Sequence, residues 1–505
     1  MIAVRADTSR LERMAGDYLA LRPANLPFDR SVLEPSLTDF TRSGWAYYPV
    51  KDLNRLALAI NRALGDVRMP AMPEVASIQS AAFCNLRCPY CPTHGTDEAH
   101  AVYQAKSWTM SDDLIRQIAH DSFPFARQIS LSGAGENLLA RNTEVAAELA
   151  HAYGCNLFIN SNGTVISKRR LRHLWGATHL RMSLDGATPA TFEALRRGAD
   201  FGKVMRNVRV MTRAGELLPR SLRLQMAINF CFCASNLRDL PLMVDLALFL
   251  GIPHINGIAV ETTTPSLLDE PYAQYSGAYR YHLDRMTERA AALGVRLAMP
   301  SPADVAPDPT QRPTGTRLAL PYLDDAYYAG LPPIEAMVDL SDLDEEALDL
   351  AEDALATALA RMQGPLNQEA GEAVKRAEDL RARQMDELGR AYTSLTPAEH
   401  TRLGGLKDSD ALVKDCSYLH RFLYYYPDGA LRPCCFEFVP DVGNLKAGSI
   451  RELFNGPKLA TLARRFVGDD PDPSCAACPK WSRVPEQAIF PLDPSRRDKT
   501  AVHAG

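Results

Sequence analysis

The stretch Ala82-Phe83-Cys84-Asn85-Leu86-Arg87-Cys88-Pro89-Tyr90-Cys91-Pro92 sets three cysteines at C-x3-C-x2-C spacing. It follows residues 76–83, a short apolar run that reads as a β-strand, so the cysteines fall on the loop leaving that strand. Three thiolates on one loop can hold three irons of a four-iron cluster and leave the fourth iron open to a ligand. Zinc is the competing reading. Structural zinc takes four ligands, often as two C-x2-C pairs, and this stretch supplies three. His94 stands just behind and reads as ordinary loop polarity.

Outward from the cysteines the chain alternates strand and helix. Candidate strands are 76–83, 127–132, 155–160, 179–184, 221–231 and 254–260, each short, apolar and bounded by Gly, Asn, Ser or Pro. Between them lie helical patterns at Asp112–His120, Thr143–Tyr153, Ser167–Trp175, Pro189–Leu195 and Asn236–Leu250, the last with Asn236 as N-cap and Gly251 just past its end. Serial βα units imply an α/β fold: a parallel sheet curled into a partial (β/α)6 TIM-type barrel over 72–304, with function at the C-terminal ends of the strands. Residues 1–71 read as a mostly helical lead-in. Residues 305–410 break the alternation with Pro-rich text and two Ala- and Glu-rich helical stretches. They read as a helical insertion, either a packing or dimerisation element or a cap. Residues 411–485 form a small cysteine-bearing module, and 486–505 a tail.

That module carries Cys416, then Gly429 to Cys434 as G-x4-C, then Cys475 to Cys478 as C-x2-C. Four thiolates close a coordination shell, as a fully ligated four-iron cluster or as a four-cysteine zinc site. Cys155, Cys231 and Cys233 fall in or beside strands and read as small core residues.

The first cysteine loop, with aromatic Tyr90 before its last cysteine, resembles the radical S-adenosylmethionine (radical SAM) superfamily. Later strand ends support the resemblance. Ser132-Gly133-Ala134-Gly135-Glu136 is similar to the family's Gly-Gly-Glu stretch, and Ala134 departs from it. The resemblance implies that Gly133, Gly135 and Glu136 meet the methionine moiety and that Asn160 and Asn162 lie beside the cofactor. It further implies that Ser183 and Asp185 contact the ribose, and that one Arg of Arg196-Arg197, taken as Arg197, pairs with the cofactor carboxylate. The segment 411–485 resembles the family's SPASM module in its shorter Twitch form. That implies an auxiliary four-iron cluster on Cys416, Cys434, Cys475 and Cys478, with zinc as the lesser alternative.

The activity so implied is reductive cleavage of S-adenosylmethionine to a 5′-deoxyadenosyl radical, which takes a hydrogen atom from substrate. Electrons would come from a flavodoxin- or ferredoxin-type donor. The preferred outcome is dehydrogenation of a small, polar, sugar- or cyclitol-like substrate. Epimerisation or modification of a ribosomal peptide is the alternative, and an iron–sulfur or zinc scaffold the non-enzyme rival. Cys435 and Glu437 follow the auxiliary ligand Cys434 and are candidates for hydrogen donor and base.

Composition limits the partners. With 505 residues, 46% hydrophobic and a net charge of −5, the chain shows no bias toward nucleic acid or an anionic membrane. The basic run Lys168, Arg169, Arg170 and Arg172 reads as a solvated helix face. The first twenty residues lack an apolar core, and no run of about 18 apolar residues occurs, so the expected compartment is the cytoplasm.

Overall fold

The computed structural model describes residues 8–21, 42–106, 109–133, 135–176, 178–260, 276–300, 328, 330–363, 370–405, 412–416, 418–434, 439–468, 470–476, 478 and 482–485. Its centre is a sheet of seven parallel strands in sequence order: β1 (Val75–Gln79), β2 (Gln128–Ser132), β3 (Asn156–Ser161), β4 (Thr178–Ser183), β5 (Gln225–Phe232), β6 (His254–Ala259) and β7 (Arg296–Ala298). Helices Asp112–Ser122, Asn142–Tyr153, Pro189–Leu195, Phe201–Leu217, Leu240–Leu250 and Ser276–Leu293 lie between or after them.

Each strand has an outer face toward the helices and an inner face toward the barrel interior. Leu157, Ile159, Leu180, Met182, Ile228 and Phe230 are at most 1% exposed and share one core with the helices. Burying each such side chain contributes about 1.5–3 kcal/mol. Many inner positions are polar instead, among them Ser130, Asn156, Asn160, Arg181, Asn229 and Asn256, with Phe158 and Ile258 as apolar exceptions. Period-two alternation therefore builds a barrel with an apolar outside and a polar inside.

Helix ends follow their sequence signals. Ser111 and Asp200 accept from the backbone N–H of Leu114 and Lys203 at 3.2 and 2.7 Å. Gly251 closes the helix Leu240–Leu250 at φ +70°, a conformation that favours glycine. Asn236 does not cap that helix. It sits in a preceding 3-10 turn, Ala234–Asp239, where its side chain accepts from Cys233 N at 2.8 Å and donates to the carbonyls of Asp185 and Cys231.

Three features go beyond the sequence reading. The first is β7, which extends the sheet past the sixth strand. The second is β9 (Phe422–Tyr425), which pairs in parallel with β1 on its other edge. Beyond β9 follow antiparallel β10 (Ala430–Arg432) and β11 (Gly443–Asn444), while β8 (Leu412–Asp415) and β12 (Ser482–Pro485) form a separate ribbon. The third is the placement of the 305–410 segment. Its helix Leu343–Gln363 packs on Phe201–Leu217 and on Ser9–Leu21, and Ala370–Thr393 packs on Tyr48–Leu64. The first helix thus lies against the barrel's helical ring and the second against the N-terminal helix Tyr48–Leu64.

Two residues of the basic run, Lys168 and Arg172, face an acidic helix, while Arg169 is exposed. Lys168 pairs with Asp349, Arg172 with Asp353, Arg206 with Glu346 and Arg213 with Asp344. The acidic helix Leu343–Gln363 is therefore held on the barrel by a line of ion pairs over an apolar seam of Ala347, Leu350, Ala354 and Leu355.

Candidate active site

The cysteine loop begins where β1 ends and is folded by its own backbone. Cys91 N donates to Cys88 O at 2.9 Å and Gly95 N to Cys91 O at 2.8 Å. A Cβ on Gly95 would lie 2.6 Å from Cys91 O and 2.7 Å from Pro89 O, so only glycine lets the chain return this closely beneath the loop. His94 is not loop polarity. It is 1% exposed, with Nε2 2.9 Å from Ala82 O and Nδ1 3.1 Å from His100 Nδ1, and so props the loop from inside. Gly95 was not picked out from the sequence, although it follows directly on the cysteine motif.

The three thiols feel one another's charge. Burial pushes Cys84 up to about 12, helped by Glu136 and the other two thiols and opposed by the Leu86 N–H. Burial likewise raises Cys88, opposed by Arg196. Donors converge on the sulfurs: Leu86 N at 3.4 Å and Asn162 Nδ2 at 3.9 Å on Cys84, and Arg196 Nη1 at 3.8 Å on Cys88. Among the described residues no three His, Cys, Asp or Glu side chains gather tightly enough to ligate a single metal ion. Thiolates of a four-iron cluster bind separate irons, and the N–H donors stabilise their negative charge, so this donor set fits such a cluster.

Around the loop sits a buried charged lock. The Asp185 carboxylate is ion-paired with Arg196, accepts the Tyr90 hydroxyl and accepts Cys231 N at 2.7 Å. Arg196 also lies over the Tyr90 ring, 5.7 Å from its centroid. Opposed charges hold the Arg196 guanidinium charged against its burial. Asp185 therefore spends its carboxylate on the protein. Arg197, the expected carboxylate partner, has an exposed side chain and takes part through its carbonyl, which accepts Arg87 N at 2.9 Å. Arg196 is the residue turned inward, because the helix Pro189–Leu195 ends there.

Glu136 is 4% exposed. Its carboxylate accepts Leu138 N at 3.1 Å, Ser161 Oγ at 2.9 Å and Asn162 N at 2.7 Å, so it ties the β2 loop to the β3 loop. Burial raises its pKa and those three donors oppose the rise. Asn162 in turn donates to Asn85 Oδ1 at 3.0 Å. Gly135 is explained by the chain itself: a Cβ there would lie 2.8 Å from Ala82 C and Phe83 N, and closer still to Phe83 O. Gly133 follows β2 at φ +155° and is exposed. Asn160 points away from the loops into the barrel, where its Oδ1 accepts Asn229 Nδ2 at 3.2 Å. Ser183 ends β4 on the inner face, half-buried.

At the other cysteine set, Cys416, Cys475 and Cys478 feel one another's charge. The Cys416 sulfur accepts backbone N–H groups of Tyr418 and Leu419, and burial pushes Cys475 up to about 11. Cys478 N donates to Cys475 O at 3.3 Å, the same C-x2-C turn as in the first loop. Cys434 follows β10, half-buried. Cys435 and Glu437 lie outside the described residues, as does Ala134. Cys155 and Cys233 are core residues at 0% and 1% exposure, whereas Cys231 is half-buried beside Tyr90.

Two family models match this chain. The radical SAM superfamily model covers residues 78–217, which include the first three cysteines and all the strand-end positions above. The SPASM model, described as an iron–sulfur cluster-binding domain, covers 416–479 and includes Cys416, Cys434, Cys475 and Cys478. The chain carries a radical SAM domain followed by a SPASM domain. That pair implies S-adenosylmethionine and four-iron clusters, one of them auxiliary.

Curated relatives of the radical SAM domain include a probable GTP 3′,8-cyclase of Methanococcus maripaludis, 26% identical over 172 residues, 33% of this chain and 53% of that one. The mitochondrial GTP 3′,8-cyclase of Arabidopsis thaliana is 29% identical over 129 residues, 25% of this chain and 32% of that one. The chain thus spans about half the length, or less, of these relatives. Solved structures similar in outline include SuiB of Streptococcus suis bound to S-adenosylmethionine, at TM-score 0.43 and 12% identity, covering 81% of this chain and 71% of that one. Another is anSMEcpe with bound AdoMet, at TM-score 0.42 and 14% identity, covering 77% and 84%. Among the described residues of the radical SAM and SPASM domains and the rest of the chain, no helix is long and apolar enough to cross a membrane.

Proposed function

We propose that this radical SAM protein dehydrogenates a small polar molecule held inside the barrel. The observation that carries the reading is the position of the two cysteine sets at opposite ends of the paired strands β1 and β9. The first loop leaves the C-terminal end of β1. Cys416 precedes β9, whose first residue Phe422 pairs with Val75, the first residue of β1. The sets therefore flank the barrel interior from opposite ends of a strand about 16 Å long, at roughly 3.3 Å per residue.

Cys84, Cys88 and Cys91 would hold the open cluster, and Cys416, Cys434, Cys475 and Cys478 the closed one. When bound, the first group with S-adenosylmethionine supplies a radical that takes a hydrogen atom, and the second supplies an electron acceptor. The chain's own residues hold this arrangement in place. Tyr90, Asp185 and Arg196 clamp the first loop against β4 and β5, and Glu136 binds the β2 and β3 loops together. Tyr418, two residues after Cys416, packs on Val75 and Phe422 at the floor of the barrel. A flavodoxin- or ferredoxin-type protein is the proposed reductant.

The test is anaerobic reconstitution with iron counting and measurement of methionine formation. About eight irons are expected, and about four after Cys84, Cys88 and Cys91 are changed together to Ala, with methionine formation lost. Zinc in place of iron, or methionine formation surviving the triple change, overturns the reading. Epimerisation is a second reading with one observation in its favour: Cys231 is a half-buried thiol on the inner face of β5 beside Tyr90. Reaction in deuterium oxide separates the two. Product two mass units lighter than substrate marks dehydrogenation, and product one unit heavier marks epimerisation.

A further inference from the structure

The buried lock at the first cysteine loop sets a full positive charge against a ligand sulfur. Arg196 Nη1 lies 3.8 Å from Cys88 Sγ, on a side chain only 10% exposed. The guanidinium is fixed on two further sides. The fully buried Asp185 carboxylate pairs with it, and its carbon lies 5.7 Å from the centroid of the Tyr90 ring. Asp185 is held in turn by the Tyr90 hydroxyl and by Cys231 N. The members come from four places in the chain: Tyr90 from the cysteine loop, Asp185 from just past β4, Arg196 from the end of the helix Pro189–Leu195, and Cys231 from β5. An arginine so enclosed cannot swing away from the sulfur without breaking its ion pair.

Among the described residues, the hydrogen-bond partners of the three sulfurs are Leu86 N and Asn162 Nδ2 on Cys84, Thr93 Oγ1 at 3.1 Å on Cys91, and Arg196 on Cys88. Of these only Arg196 carries a charge. The potential of an iron–sulfur cluster follows its net charge and the hydrogen bonds to its sulfurs. Reduction adds one negative charge, so a cation held against a ligand sulfur favours the reduced form and an anion opposes it. Arg196 bears on the Cys88 thiolate more strongly than Asp185 does, and in the opposite direction. The pair is therefore oriented, with its positive member toward the loop, and its net effect is that of a cation partly offset.

We propose that the Asp185–Arg196 pair sets the reduction potential of the four-iron cluster on the first loop, Arg196 raising it and Asp185 limiting the rise. Tyr90 and Cys231 N serve as the frame that keeps the pair in this orientation. Arg196 is thus a tuning residue that acts through Cys88, in addition to its part in clamping the loop. The inference rests on the radical SAM reading for the presence of that cluster, but not for the direction in which each charge moves its potential.

The experiment is an anaerobic redox titration of the reconstituted full chain, followed by electron paramagnetic resonance. It is run without S-adenosylmethionine, so that cofactor binding plays no part. The signal that vanishes when Cys84, Cys88 and Cys91 are changed together to Ala belongs to the first cluster, and the signal that remains is the auxiliary one. Arg196→Gln should lower the first midpoint by at least about 59 mV, a tenfold shift in a one-electron equilibrium. Arg196→Lys should lower it less, because it keeps the charge but not the planar fork of donors. Asp185→Asn should raise it. The auxiliary midpoint should stay where it is in all three. A lock that is merely structural would not move the two partners' variants in opposite directions, so shifts of the same sign, or none, overturn the proposal. If Arg196→Gln does not keep its first cluster, Asp185→Asn and Arg196→Lys decide: an unchanged or lowered midpoint in Asp185→Asn overturns it. A wild type without the first signal overturns the radical SAM reading as well, whereas a wild type with that signal and unmoved midpoints overturns this proposal alone.

Discussion

Removing the Arg196 charge should open the site from within. Asp185 is fully buried and its ion-pair partner Arg196 is 10% exposed at the side chain. In Arg196→Met the carboxylate keeps the Tyr90 hydroxyl and Cys231 N but loses its only described cationic partner. An uncompensated buried charge costs about 3–5 kcal/mol. Loss of the Arg196–Tyr90 ring contact adds about 0.5–2 kcal/mol. The paired change Asp185→Asn with Arg196→Met removes both charges and should restore most of the loss.

Amide hydrogen exchange on the iron-free protein measures this locally, because it reports the free energy of opening segment by segment. At about 1.4 kcal/mol per tenfold, exchange across 178–195 and 225–233 should quicken by roughly two and a half to five orders of magnitude in Arg196→Met. In the paired variant it should fall back to within about tenfold of wild type. An increase below tenfold in the single variant would refute the reasoning. So would a paired variant as open as the sum of its singles, since the pair would then contribute nothing through each other. Iron content gives a second readout: Arg196 opposes the burial of the Cys88 thiolate, so Arg196→Met should also retain fewer irons.

Gly135→Ala would press a methyl onto the Ala82–Phe83 backbone, so the first site should lose its iron and about four should remain; a full complement of about eight would count against the packing argument. Glu136→Ala orphans the Leu138 and Asn162 N–H groups at about 1–3 kcal/mol each; S-adenosylmethionine affinity and melting temperature should fall together, and an unchanged melting temperature would show that the loop tie is not structural. His420 is buried, and burial with Arg62 nearby pulls it from 6.5 down to about 4. Its folded pKa lies below the unfolded one, so its contribution is present above pH 6.5 and lost as pH falls through 4. That amounts to about 3 kcal/mol at pH 4, and urea unfolding of wild type against His420→Phe between pH 7 and 4 should show it as a shallower acid loss in the variant.

How much of this was legible beforehand depends on whether the cause is local. The cysteine motif, the six strands and Gly251 are local: spacing, alternation and a helix stop. Arg196 against Arg197 was not decided by spacing, because adjacent residues at a helix end point to opposite sides and only the final turn fixes which one faces inward. The ion pairs of Lys168 and Arg172 join residues about 180 positions apart, and nothing in a basic run says that an acidic helix will cover it. His94 reads as polar because its partners, Ala82 O and His100, appear only once the loop closes. The parallel pairing of β9 with β1 is the least local of all, since an edge strand carries no mark of the strand it will meet.

That pairing also bears on how the two cysteine sets work together. A module joined by a linker would sample many separations from the barrel. Here the SPASM domain continues the barrel sheet: β9 pairs with β1 over four residues, Val75 N donates to Arg421 O at 3.0 Å, and Arg421 pairs with buried Glu74 at 2.7 Å. Tyr425 reaches Ser122 at 2.9 Å, Asn455 holds Ala71 through both its amide groups, and Arg62 pairs with Asp415 beside Cys416. These contacts are distributed over the strand, a barrel helix, the lead-in to β1 and the helix Tyr48–Leu64, so the described residues of the module are tied to the barrel at several separate points. The barrel interior is thereby given a fixed cysteine set at each end. On the proposed reading, a substrate held in the barrel would lie between the two, with the hydrogen atom leaving at one end and the electron at the other.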